Sequence, residues 1–137
     1  MYAIDENDKV VALDIPAPDT GDPLPIVLSK DGTVILSYIS LVARKDMCVI
    51  VSFPVCAAHT FVESKIAHPL AARGLKPFGA YEVKDSSWVR RDFGGKGKHF
   101  AFAFRDSIFE CVAEDFGLEI NEEEDDAIKL MSKRLYK

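Results

Sequence analysis

The chain has 137 residues, 48% of them hydrophobic and 28% charged, with a formal net charge of −5. That length buries roughly two-thirds of the unfolded surface in one globular domain without metal or disulfide support, and the composition excludes a disordered or fibrous chain. Three cysteines, Cys48, Cys56 and Cys111, stand far apart among apolar neighbours, which excludes a disulfide framework and a Cys-x-x-Cys metal pattern.

In chain order, Val10–Ile15 reads as a short strand, and the four prolines and one glycine of 16–25 read as an extended crossing. Pro25–Ser29 and Thr33–Leu41 are expected strands joined at Lys30-Asp31-Gly32, and Ala43–Asp46 turns the chain into a third, Met47–Phe53. Together they predict an antiparallel meander. From Pro54 the apolar period changes: Val55, Ala58, Phe61, Val62 and Ile66 recur at helical spacing, predicting a helix over 54–67 that ends before Pro69. Phe78–Lys84 is an expected strand, and Asp85-Ser86-Ser87 offers caps for a short helix through Trp88 to about Asp92.

Two phenylalanine-rich runs, His99–Arg105 and Ile108–Ala113, flank Asp106-Ser107 and read as a β-hairpin. A two-residue loop places Phe104 opposite Phe109, Phe102 opposite Cys111, Phe100 opposite Ala113 and His99 opposite Glu114. Side chains alternate faces. One face then carries Phe100, Phe102, Phe104, Phe109, Cys111 and Ala113, an evident core face. The other carries His99, Ala101, Ala103, Arg105, Ile108, Glu110, Val112 and Glu114. The same parity separates His99 from Cys111 and argues against a thiol–imidazole dyad, which needs hydrogen-bond reach. At the C-terminus, Asn121 with Glu124, the acids of 122–126 and the basic residues of 133–137 predict a helix over 121–135. The acid run lacks the glycine and spaced ligands of a calcium loop. The fold class expected is α+β: a mainly antiparallel sheet of about six to eight strands, with helices near 54–67 and 121–135.

Residues 81–83 (Tyr-Glu-Val), 86–88 (Ser-Ser-Trp), 98–100 (Lys-His-Phe) and 106–111 (Asp-Ser-Ile-Phe-Glu-Cys) form a motif set, joined by His68-Pro69-Leu70 and Gly74-Leu75. This set resembles a pattern in small bacterial proteins that carry no assigned activity, and it covers about residues 68–113. The pattern has His where this chain has Arg105 and Thr where it has Ile108. The resemblance implies a bacterial source and no particular chemistry.

Two groups of side chains are candidates for function. Tyr81, Glu82, Trp88, His99, Arg105, Asp106 and Glu110, with Ser86 and Ser107 nearby, form the best polar set for a ligand pocket. If strand 78–84 lies beside the hairpin, Glu82 and Glu110 approach one another and could share a proton, or bind a metal with His99. Arg90, Arg91, Lys96 and Lys98, interleaved with glycines, are candidate anion contacts, although no phosphate-loop frame exists. His59 and His68 read as packing or surface residues. No catalytic motif, metal site or cofactor is expected.

Charge is uneven: residues 1–29 hold one lysine against six acids, residues 30–113 twelve bases against eight acids, and residues 114–137 four bases against eight acids. A mildly basic middle between acidic ends does not fit a nucleic-acid binder. It fits a patch offered to a cationic protein. The start lacks the basic and apolar regions of an export signal, and the apolar stretch 47–58 is too short to span a bilayer. The expectation is a non-enzymatic cytoplasmic protein-binding module, an immunity-type or regulatory partner, with no membrane association and no oligomeric state indicated. The alternative is a small enzyme or ligand-binding protein with a carboxylate/His pocket.

Overall fold

A computed structural model of the chain describes residues 4–19, 25–63, 68–122 and 127–136. Among them are nine strands: β1 Lys9–Ala12, β2 Ile26–Lys30, β3 Thr33–Val42, β4 Lys45–Phe53, β5 Cys56–Glu63, β6 Gly79–Lys84, β7 Lys98–Ala103, β8 Ser107–Ala113 and β9 Gly117–Glu122. A 3-10 turn, Pro69–Arg73, and two helices, α1 Ser87–Asp92 and α2 Ala127–Leu135, complete the described elements. The strands form two antiparallel sheets, β1-β6-β7-β8-β5 and β2-β3-β4-β9. The α+β class and the antiparallel pairing are as expected; among the described residues the strands number nine and form two sheets, rather than one sheet of six to eight.

The meander β2-β3-β4 forms where the turn signals place it. Lys30 pairs with Thr33 around Asp31-Gly32, and Val42 with Lys45 around Ala43-Arg44. All four loop residues have positive φ, the conformation that two-residue hairpins require and that glycine adopts at no steric cost. The residues after β1 cross from one sheet to the other. Leu13 N–H donates to the Ala80 carbonyl at 2.9 Å and Asp19 N–H to the Ile39 carbonyl at 2.9 Å. Tyr38 Oη donates to the Pro16 carbonyl at 2.6 Å, and burial pushes that phenol upward from its ordinary pKa.

The inter-sheet core joins Val34, Leu36, Tyr38, Val49, Val51 and Phe53 to Ala80, Phe100, Phe102, Phe104, Phe109, Cys111 and Ala113. Phe53 lies 5.6 Å from Phe100 and 5.8 Å from Phe109 between ring centroids. Each such ring contributes about 2–3 kcal/mol on burial. The hairpin β7–β8 presents the expected core face, but its register is slid by two residues. Phe102 pairs with Phe109, Phe100 with Cys111 and His99 with Val112. The connection is longer than expected because Phe104 leaves the ladder, its N–H donating to the Ser107 carbonyl at 2.9 Å. Its ring stays in the core, edge-on to Tyr38 at 5.9 Å. A slide of two keeps every side chain on its expected face.

The expected helix at 54–67 is a correction. Residues 56–63 form β5, paired with β8 from Cys56↔Ala113 to Glu63↔Ser107 with an irregularity between Cys56 and Ala58; residues 64–67 lie outside the described set. An edge strand buries little, so its polar and apolar residues do not alternate cleanly, and the spacing resembled a helix by chance. Thr60, Phe61 and Val62, all strand formers, were the contrary signal. At the C-terminus, α2 covers 127–135, while Asn121 and Glu122 belong to β9; the expected cap partner Glu124 lies outside the described residues. Leu118 and Ile120 on β9, opposite Val51 and Val49 of β4, extend the sheet where a cap had been expected.

Each sheet also has a cover on its outer face. Ile35, Cys48 and Ile50 meet Met131 of α2, whereas Ala101, Ala103, Ile108 and Val83 meet Leu70 and Leu75 of the 3-10 segment. Trp88 and Val89 of α1 pack on Val112.

Candidate functional site

Alternation along β7 and β8 turns His99 and Glu110 away from the phenylalanine core, toward the cover of the larger sheet. A carboxylate there must find donors, because its burial without them costs several kcal/mol. Glu110, 3% exposed, finds two imidazoles. His99 Nε2 lies 2.9 Å from Oε1 and His68 Nε2 lies 3.2 Å from Oε2.

The surrounding partners fix where the ring protons sit. His68 is the N-cap of the 3-10 turn, and its Nδ1 accepts from Leu70 N–H at 3.1 Å. The His68 proton is therefore on Nε2 and points at Glu110. Ser86 is the N-cap of α1, its Oγ accepting from Val89 N–H at 3.3 Å. With the His99 Nε2 proton directed at the Glu110 carboxylate, which can only accept, Nδ1 of that tautomer accepts the Ser86 hydroxyl at 2.8 Å. His99 in turn donates from Nε2. The network runs Ser86–His99–Glu110–His68, with acceptor and donor alternating along it.

Trp88 covers it, its ring edge-on to His99 at 5.2 Å. The order hydroxyl, imidazole, carboxylate is that of hydrolytic triads. Here the hydroxyl is engaged as a helix cap, and the His99 ring is wholly buried. In this arrangement the network is closed to a substrate and serves to pin two short covers to the sheet.

A second buried contact ties the amino-terminal segment to the same cover. Asp8, buried, accepts from Ser87 N–H and from Ser87 Oγ, each at 2.7 Å. Asp5 receives Arg90 Nη2 on both oxygens, at 2.9 and 3.0 Å, and Arg91 Nη2 at 3.4 Å. The Arg90 hydrogen bond above all, with Asn7 N–H, holds the Asp5 carboxyl below its ordinary pKa, and Arg90 is raised reciprocally.

Of the residues expected to line a pocket, Trp88, His99 and Glu110 converge. Glu82 does not join them. Strand β6 does lie beside β7, but Glu82 pairs with Phe100 and so faces the opposite side from Glu110, which lines up with Ala101; its carboxylate meets Lys84 at 3.0 Å. Tyr81 shares the correct face, yet its hydroxyl stays local, 3.3 Å from Lys76 N and O. Arg105 and Asp106 are exposed at the hairpin tip. Among the candidate anion contacts, Arg90 and Arg91 are engaged with Asp5, while Lys96 and Lys98 are exposed before and at the start of β7.

His68 and the Asp8–Ser87 contact were not read as site residues from sequence. The available signal was chemical: a glutamate on a face that folding must bury requires donors, and a histidine preceding a proline is a natural turn cap.

The thiols occupy the other side of the larger sheet. Cys111 is in the phenylalanine core, on the opposite face from His99, and His59 of β5 is its cross-strand neighbour. The half-buried Cys56 thiol donates to the Ala58 carbonyl at 3.2 Å. A hydrogen bond from Cys111 lowers Cys56 below the ordinary thiol range, whereas burial pushes Cys111 well above it. Among the described residues no cluster of three or more His, Cys, Asp or Glu is arranged to hold a metal ion, and no helix is long and apolar enough to cross a membrane.

No protein-family model, curated protein or solved structure matches the chain.

Proposed function

We propose that the chain is a cytoplasmic protein-binding module, of the regulatory or immunity type, whose working surface is the free edge of β5. What supports this reading is that strand. It is eight residues long, against four, five and six for the other sheet edges β1, β2 and β9. Among the described residues it has a paired neighbour on one side only. Val55, just before it, is 64% exposed, and Phe61 and Val62 are each 41% exposed. Natural edges are commonly shortened or guarded by lysine and proline. β5 carries neither, and an edge left long and apolar suits the addition of a partner's extended strand.

The acidic ends support partner binding less than their composition suggests. Asp5 and Asp8 are engaged with α1, Glu119 receives Arg134 Nε at 2.7 Å and Glu122 meets Lys45 Nζ at 2.6 Å.

Hydrogen exchange on the full chain, alone at low concentration and with protein captured from its native source, tests the reading. The expected result is strong new protection across 56–63 in the complex, and loss of capture by Val62→Lys. Protection confined to other segments, or undiminished capture by that variant, removes β5 as the working surface.

A site for hydrolysis has one observation in its favour, the Ser86–His99–Glu110 order. Such a site requires its cover to open. Labelling of Ser86 by a fluorophosphonate would support it, and an unlabelled Ser86 under conditions that label a serine hydrolase would dismiss it.

A further inference from the structure

Resting on the β5 reading above, we infer that the strand completing the larger sheet is β5 of a second copy of this chain, paired antiparallel about a two-fold axis at Phe61. The argument begins with symmetry. Two copies of one edge strand related by a two-fold perpendicular to the sheet run antiparallel and keep the same face up. Residues opposite one another then point to the same side, so the axis must pass through a residue and not between two residues.

Within the exposed part of β5 this leaves few registers. An axis at Thr60 sets His59 against Phe61 of the other copy. An axis at Val62 sets Phe61 against Glu63. An axis at Phe61 stacks the two phenyl rings, sets both His59 imidazoles against the partner copies' Glu63 carboxylates, and places Thr60 beside Val62. His59, Phe61 and Glu63 all lie on the face of β5 shared with Phe109, because Phe61 pairs with Phe109 and His59 with Cys111. All three are exposed. The third register alone joins apolar to apolar and acceptor to donor, the complementarity that favours cross-strand pairs.

The existing packing prepares the central ring. Phe61 already leans edge-on to Phe104 at 6.4 Å, and His59 lies 6.3 Å from Phe109. Both side chains are thus supported from behind while their outer surfaces stay exposed. Dimerisation would convert two five-stranded sheets into one ten-stranded sheet without any rearrangement of the cores.

Sedimentation velocity of the full chain, from low micromolar to near-millimolar concentration, tests this. The expected result is a reversible monomer–dimer equilibrium. Phe61→Lys, which places like charges on the axis, should leave a monomer. His59→Glu should weaken association about tenfold, because two carboxylate pairs then oppose each other, and adding Glu63→Lys should restore it. All three positions are exposed, and far-UV circular dichroism checks that each variant folds. A chain that remains monomeric throughout, or a dimer indifferent to these variants, overturns the inference. If the chain is monomeric while Val62→Lys still loses a captured protein, β5 remains a docking edge and only the second copy is excluded.

Discussion

The two outer covers of the sandwich are held by different means. On the smaller sheet, α2 is anchored chiefly by an apolar stripe: Met131 is wholly buried against Ile35, Cys48 and Ile50, and the buried polar contact beneath it is the 3.4 Å approach of Ser37 Oγ to Cys48 Sγ. On the larger sheet, the five-residue turn and the six-residue helix α1 are pinned by Glu110, two imidazoles, Ser86 and the Asp8–Ser87 contact. Segments this short cannot hold themselves as helices. They also offer few apolar side chains, Leu70 on one and Trp88 and Val89 on the other. Directional hydrogen bonds supply what area cannot, and they make the cover sensitive to single polar changes.

The largest effect should come from Glu110→Ala, which strands two buried imidazole N–H groups. A loss on the order of 3–5 kcal/mol is expected, read in chemical denaturation together with a changed emission of Trp88, the chain's one tryptophan. If stability falls by less than about 1 kcal/mol, polar pinning is not what holds this cover. On the other sheet Met131→Ala should cost about 2–4 kcal/mol through lost burial and cavity formation, with the Trp88 signal of the native state unchanged. Should that signal move as well, the two covers are coupled and the contrast fails.

Ser86→Ala removes a helix cap and the His99 partner together, and about 1–2 kcal/mol is expected, again with altered Trp88 emission. The smallest effect belongs to the exposed Asp5 contact. Its folded pKa lies below the ordinary value of 3.8, so its contribution is present above that pH and is lost as the pH falls through the lower, folded value. Asp5→Asn should therefore loosen residues 4–9 in hydrogen exchange at neutral pH and flatten the response to acid in that range. Cysteine labelling gives an independent measure of the opposite side of the larger sheet: Cys56, half-exposed and lowered, should alkylate before Cys48 and Cys111, which are buried.

Much of this architecture was legible because local chemistry and tertiary packing agreed. Asp31-Gly32 specified one hairpin, and Phe100, Phe102 and Phe104 against Phe109 and Cys111 specified an inward face. β5 was illegible because its partner β8 lies nearly fifty residues away in sequence, and an edge strand shows no burial pattern of its own. Within the candidate site, His99, Glu110 and Trp88 were identified, since parity and sequence proximity sufficed. His68 and Asp8 were not, because they reach Glu110 and Ser87 only through contacts spanning 42 and 79 positions. Glu82 failed for the converse reason: its strand was adjacent, but its parity was set by a register that sequence did not reveal.

The sliding hairpin gives the buried glutamate one more consequence. Moved by two residues, β7 and β8 would still turn every phenylalanine inward, so greasy contacts alone scarcely tell the two alignments apart. His99 would then face Glu114, and Glu110 would lie opposite Ala103, its offset along the ribbon from the imidazole growing from about 7 Å to about 13 Å. The carboxylate thus proofreads strand alignment, and Glu110→Leu should yield a chain whose interior is oilier yet whose cross-strand NMR contacts report two coexisting pairings.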